Sequence, residues 1–183
     1  MQDDATILEQ FANEATRQQA FSALVRKYQQ RVYWHIRKMV IDHDDADDLT
    51  QETFIKVWKH LPDFKEQARL FTWIYRIATN ECLTFLKKKR TRFFMPIVDV
   101  EAQLSDKLVE QTGVLLDGEA IELKLQKALL TLPEKQRLVF NMKYYDELKY
   151  EEISEIVGTS VGGLKASYHL AVKKIEDFMN KHN

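Results

Sequence analysis

The sequence predicts an all-α protein: two small helical domains joined by a flexible acidic linker, the C-terminal one a helix-turn-helix. Three observations carry this expectation. Apolar residues recur at three- and four-residue spacing through most of the chain, and no segment shows sustained two-residue alternation. Only 5 Gly and 3 Pro fall within 183 residues, so tight hairpin turns are scarce. The periodicity fails once, over residues 93–120, where Pro96, Gly113 and Gly118 gather with a run of acids. The expected divisions are therefore 1–92, 93–120 and 121–183.

The elements follow in order. Residues 17–40 form a helix whose stripe is Phe21, Leu24, Val25, Tyr28, Val32, Ile36 and Met39. Asp42, His43, Asp44 and Asp45 make a polar turn rich in N-cap residues. A helix over 46–61 turns Leu49, Thr53, Phe54, Val57, Trp58 and Leu61 inward. It leaves Asp48, Gln51, Glu52, Ile55 and Lys59 on the far side, and Pro62 ends it. After a polar loop at 63–69, a helix over 70–90 buries Phe71, Ile74, Ile77, Ala78, Phe85 and Leu86. Its last turn carries Lys87, Lys88, Lys89 and Arg90, where cations complement the helix dipole. Beyond the linker, Leu125, Leu129 and Leu132 lead to Pro133. Helices over 134–145, 150–157 and 161–179 complete the chain, with Gly158, Thr159 and Ser160 as a turn between the last two.

Composition bounds the function. Hydrophobic residues at 45% and charged residues at 30% suit a folded chain. No apolar run is long enough to span a membrane, and the acidic N-terminus is unlike a secretory signal, so a cytoplasmic protein is expected. The single Cys82 excludes an internal disulfide and reads as a buried structural thiol. The run from Asp44 to Asp48 resembles an aspartate-rich magnesium motif, but the chain lacks the facing second cluster. Acids at a helix start are favourable without any metal, so neither a metal nor a cofactor is expected. Net charge is only −1, yet it is segregated. Residues 65–92 hold eight cations against Glu66 and Glu81, and residues 99–122 hold seven acids against Lys107. Such segregation suggests more than one charged partner, and the acidic block can compete for the basic one.

Two motifs bear on nucleic acids. The short helix, glycine turn and longer helix at the C-terminus match the geometry that lays a second helix in the major groove. The face left to that helix is Gly162, Gly163, Lys165, Ala166, His169, Leu170 and Lys173, flanked by Ser167. Small residues allow close backbone approach, and lysines meet phosphate or guanine edges. A plain helical hairpin is the alternative. Phe64, Phe71, Trp73 and Tyr75 surround a polar loop beside the cationic helix; composition leaves them open as core residues or as stacking platforms for unpaired bases.

Two blocks resemble a known family. The runs 47–58 (DDLTQETFIKVW) and 71–80 (FTWIYRIATN) resemble the second region of extracytoplasmic-function sigma factors. The runs 132–137 (LPEKQR) and 150–158 (YEEISEIVG), with Ser160, Val161 and Gly162, resemble their fourth region. The resemblance implies a non-catalytic subunit with three surfaces. Asp48, Leu49, Gln51, Glu52, Phe54, Ile55 and Trp58 would dock on the clamp helices of RNA polymerase core. Lys56, Phe64, Lys65, Arg76, Asn80, Lys87, Lys88, Lys89 and Arg90 would open and hold the minus-ten strand. Gly162, Gly163, Lys165, Ala166, Ser167, His169 and Lys173 would read the minus-thirty-five duplex, with the polymerase flap nearby. An anti-sigma factor is a further implied partner. Ser167, Leu170 and Val172 depart from the family by standing where basic residues are common. A stand-alone helix-turn-helix regulator is the second reading, but it has no need of a cationic helix outside its reading domain.

Overall fold

The computed structural model describes residues 3–65, 68–92 and 117–181. Among these residues there are eight α-helices, one 3-10 turn and no strand. The helices are α1 (Asp4–Ala12), α2 (Arg17–Val40), α3 (His43–His60), α4 (Leu70–Arg92), α5 (Asp117–Leu130), α6 (Glu134–Tyr144), α7 (Tyr150–Val157) and α8 (Val161–Lys181), with the 3-10 turn at Leu61–Asp63. The all-α expectation holds. Residues 93–116 of the expected linker lie outside the described residues, and its last positions, 117–120, already belong to α5.

The caps explain where the boundaries moved. Asp42 Oδ1 accepts the Asp45 N–H at 3.0 Å, so α3 starts at His43 instead of after the acidic run. Asp44 and Asp45 thereby occupy its first turn, where carboxylates face the positive end of the helix dipole. α1 has no counterpart in the periodicity reading. Asp3 caps it, accepting the Thr6 N–H at 2.7 Å, and it buries only Ile7 and Phe11, too few positions to show a period. Gly158 closes α7 at φ 70, a left-handed conformation that glycine adopts without steric cost, and its N–H bonds to the Ser154 carbonyl at 2.9 Å.

α2 is the central member, packed by α1, α3, α4 and α6. Leu24, Tyr28, Val32, Ile36 and Met39 are buried as its stripe requires. Each such side chain contributes about 1.5–3 kcal/mol when fully buried. One apolar cluster runs from these residues through Ile74, Ala78 and Cys82 of α4 and on into Leu138, Val139 and Met142 of α6 and Ile153 and Ile156 of α7. A second, smaller cluster joins Leu129, Leu132, Phe140, Ala171 and Ile175 and seats α8 on α5 and α6. The N- and C-terminal helical groups thus share a core. Cys82 is fully buried, and burial pushes its thiol well above the usual range.

Candidate nucleic-acid interface

The outer face of α3 is built by helical spacing. Asp48, Gln51, Glu52 and Ile55 are exposed, Ile55 at 60%. Leu49 and Phe54 lie beneath them, buried, and shape the face without reaching solvent. Trp58 was expected to point inward, but it is 39% exposed. Its ring stands edge-on to Phe21 at 4.9 Å and to Phe11 at 5.3 Å, so α1 supplies half of its seat. Acids and large apolar groups therefore share one ridge.

α4 carries the second face. Arg76, Asn80, Thr84 and Lys87 are exposed at three- and four-residue spacing, forming a continuous outer stripe. Beside its start, the ring of Phe64 lies 5.1 Å from that of Trp73, both partly buried, and Lys65 is exposed. The other two aromatics of this region belong to the packing. Tyr75 is buried, its phenol pushed above the usual range by that burial, and Phe71 lies 4.2 Å from it under the Arg31 guanidinium. Several predicted cations have partners. Lys56 pairs with Glu81, Lys89 with Asp45 at 3.1 Å, and Arg90 with Glu134 at 3.2 Å. Lys88 is exposed, as is Lys87.

The third face is on α8. Gly162, Gly163, Lys165, Ala166, His169, Leu170 and Lys173 are exposed and Ser167 is half-buried, while Leu164, Ala171 and Ile175 anchor the opposite side. Ser160 starts the helix, its Oγ accepting the Gly163 N–H at 3.3 Å. A Cβ at Gly162 would meet nothing within 4 Å, so the fold itself does not need glycine there. The missing side chain leaves room for a neighbouring molecule.

Polar residues that bind the two helical groups together were absent from the sequence reading. His35 is fully buried in α2; its Nε2 lies 3.0 Å from Thr79 Oγ1 and its Nδ1 3.2 Å from Asp146 Oδ2. Lys38 Nζ donates to the other Asp146 oxygen at 2.9 Å. Arg137, also buried, donates from Nη2 to the Met39 carbonyl at 3.3 Å. Burial alone would raise the Asp146 carboxyl, but hydrogen bonds and charge from His35 and Lys38 hold it below its ordinary value. Further out, Arg69 pairs with Glu152 at 3.3 Å, and Arg76 donates from Nε and Nη2 to the Glu155 carbonyl, the former at 3.0 Å. One signal was present in the sequence: His35 sits next to Ile36 on an apolar stripe, and Arg137 and Asn141 are four apart beside Leu138 and Met142, where solvent-facing residues do not belong.

Comparison with known proteins adds a second line of observation. A model of sigma-70 region 2 matches residues 24–92, and a model of sigma-70 region 4 matches residues 122–175. The chain is 32% identical over 158 residues to the ECF RNA polymerase sigma factor SigW of Bacillus subtilis, covering 83% of this chain and 84% of that one. It is 29% identical over 168 residues to the ECF RNA polymerase sigma-E factor of Escherichia coli, covering 87% and 86%. Among solved structures, CnrH in complex with the cytosolic domain of CnrY superposes with a TM-score of 0.70 at 21% identity, covering 98% of this chain and 99% of that one. The sigma factor RpoE in complex with the anti-sigma factor NepR from Bartonella quintana superposes at 0.66 and 20% identity, covering 87% and 96%.

Proposed function

The chain belongs to the extracytoplasmic-function sigma factors of the sigma-70 family, and we propose that its three exposed faces divide the work of transcription initiation among them. As a member of that family it binds RNA polymerase core, directs it to promoters and has no catalytic activity of its own. The finer assignment is ours. Residues 1–92 form the unit that meets the core and the minus-ten element, 93–120 connect, and 121–183 meet the minus-thirty-five element.

In this reading Asp48, Gln51, Glu52, Ile55 and Trp58 dock on the polymerase clamp, with Leu49 and Phe54 supporting them. Phe64 stacks on an extruded base, Asn80 reads its edge, and Lys65, Arg76, Lys87, Lys88, Lys89, Arg90 and Lys56 hold the backbone. Gly162, Gly163, Lys165, Ala166, Ser167, His169 and Lys173 read the upstream duplex near the flap. The carrying observation is α4. It presents an exposed stripe of Arg76, Asn80, Thr84 and Lys87 that begins beside a paired aromatic loop, on a helix that is not part of the helix-turn-helix, and a stand-alone regulator has no use for it. The protein acts where the polymerase is, in the cytoplasm. Both solved neighbours are complexes with a second protein, one of them an anti-sigma factor, which supports an anti-sigma partner here. Run-off transcription with core polymerase over a promoter library is the test. The expected outcome is a transcript set that appears only when the chain is added; a set unchanged by its addition would refute the assignment.

A further inference from the structure

α1 is a helix of 9 residues that buries only Ile7 and Phe11. So short a helix is not stable in water by itself, so the rest of the chain must hold it in place. It is anchored at both ends. Asp4 Oδ1 accepts from Lys27 Nζ and from the Tyr28 hydroxyl, each at 2.7 Å. At the other end, Thr16 Oγ1 donates to the Gln10 carbonyl at 2.7 Å and Arg17 Nε to the Phe11 carbonyl at 3.1 Å. The same Arg17 guanidinium lies 5.6 Å over the Phe11 ring. These contacts fix Phe11, and Phe11 with Phe21 of α2 fixes Trp58. The two rings meet the indole edge-on, at interplanar angles of 86° and 79°, within the separation that such pairs favour. Both phenylalanines precede the region 2 match, which begins at residue 24.

The held indole is not sealed into the core. Trp58 and Ile55, one helical turn apart, are large apolar groups left exposed beside Glu52 and Gln51. A rigid aromatic with an open face and a polar rim is the anchor that tight interfaces use, because little freedom is lost when the partner arrives.

We propose that α1 is a positioning element for polymerase docking: Phe11, with Phe21, holds the Trp58 indole in its docking orientation before the core is met. This rests on the docking assignment of Trp58 and deepens it. Phe11 itself is buried and touches no partner.

The test is a double-mutant cycle in the full chain. Phe11→Leu keeps an apolar side chain but loses the flat ring, and Trp58→Leu removes the indole. Affinity for core polymerase is read by biolayer interferometry, and denaturant titration reports folding. Phe11→Leu should weaken core binding about two- to tenfold, the factor for ordering one side chain at an interface. Trp58→Leu should weaken it further, and the double variant should be no worse than Trp58→Leu alone. Equal losses from Phe11→Leu in both backgrounds would mean that Phe11 does not act through Trp58, and the proposal falls. Ile7→Val trims α1 without touching a ring; it should lower stability and leave core affinity unchanged. An affinity loss there equal to that of Phe11→Leu would reduce α1 to general stabilisation and overturn the proposal. If Trp58→Leu weakens binding and Phe11→Leu does not, Trp58 docks without help from α1. If Trp58→Leu has no effect, the docking assignment itself fails. Should Phe11→Leu not fold, Phe21→Leu at its half-buried site carries the same expectations in the same cycle.

Discussion

Asp146 places its carboxylate 3.2 Å from the buried Nδ1 of His35, joining residues 111 positions apart and tying the loop before α7 to the C-terminal half of α2. The folded-state carboxyl sits below its ordinary value of 3.8, burial being outweighed by His35 and Lys38. A group depressed on folding adds stability above its unfolded value and loses it as pH falls through the folded one. Contact between the two helical groups should therefore be insensitive to this carboxyl near neutrality and loosen in acid, below the usual carboxylate range. Asp146→Asn should cost about 1–3 kcal/mol at neutral pH and flatten the acid limb. Thermal melts of both proteins across that range check it; parallel acid limbs would remove Asp146 from the account.

Charge reversal at Asp48 together with Glu52 should weaken association with polymerase core severalfold. Both are exposed on α3, so folding should change by less than about 0.5 kcal/mol. Core binding by surface plasmon resonance, alongside a denaturant titration, gives both numbers. Unchanged core affinity in a folded variant would move the docking face elsewhere.

Phe64→Ala should reduce open-complex formation on every promoter, because stacking on an aromatic ring is worth roughly 1–3 kcal/mol whichever base is held. Asn80→Ala should instead change which minus-ten base is preferred. Permanganate footprinting and a randomised minus-ten library distinguish these outcomes. A base profile identical to that of the unmodified protein would place specificity outside Asn80.

On α8, Lys165→Ala and Lys173→Ala should each weaken duplex binding and reduce the salt slope by about one if the lysine meets a phosphate. Lys165 also lies 5.8 Å over the Tyr150 ring, which holds it near the start of the helix. A lost preference at one base with an unaltered slope would make it a base reader instead.

Glu147 is exposed and has φ 54, a left-handed conformation that glycine, with no Cβ, adopts without steric cost. Glu147→Gly should relieve the steric cost and stabilise the chain by about 0.5–1 kcal/mol, net of the extra freedom gained by the unfolded chain. Chemical denaturation reads this directly, and destabilisation would show that the side chain contributes more than the backbone loses.

Helix order was legible because burial and period coincide: Leu24, Val32, Ile36 and Met39 repeat on α2 just where the core needs them. The turn at Gly158 was legible for a local reason, since only its own backbone decides it. α1 was not, because two buried residues define no period, and with it went the true seat of Trp58. The exposed members of the three candidate faces lie where helical spacing put them. What spacing could not give was their partners. That Arg76 meets Glu155 or that His35 meets Asp146 depends on how two distant segments pack, and no local pattern encodes it.

The apolar cluster that runs from Met39 and Ile74 into Leu138 and Met142 has a consequence for building hybrids. Region 4 of another family member, transplanted to alter upstream preference, would bring its own α6 surface to a socket shaped by α2 and α4. A poor match leaves voids or clashes in a shared interior, so the effects of substitutions on either side of it will not add. Exchanging promoter preference in this protein therefore calls for grafting only the solvent-facing positions of α8, with α6 and the residues beneath it left native.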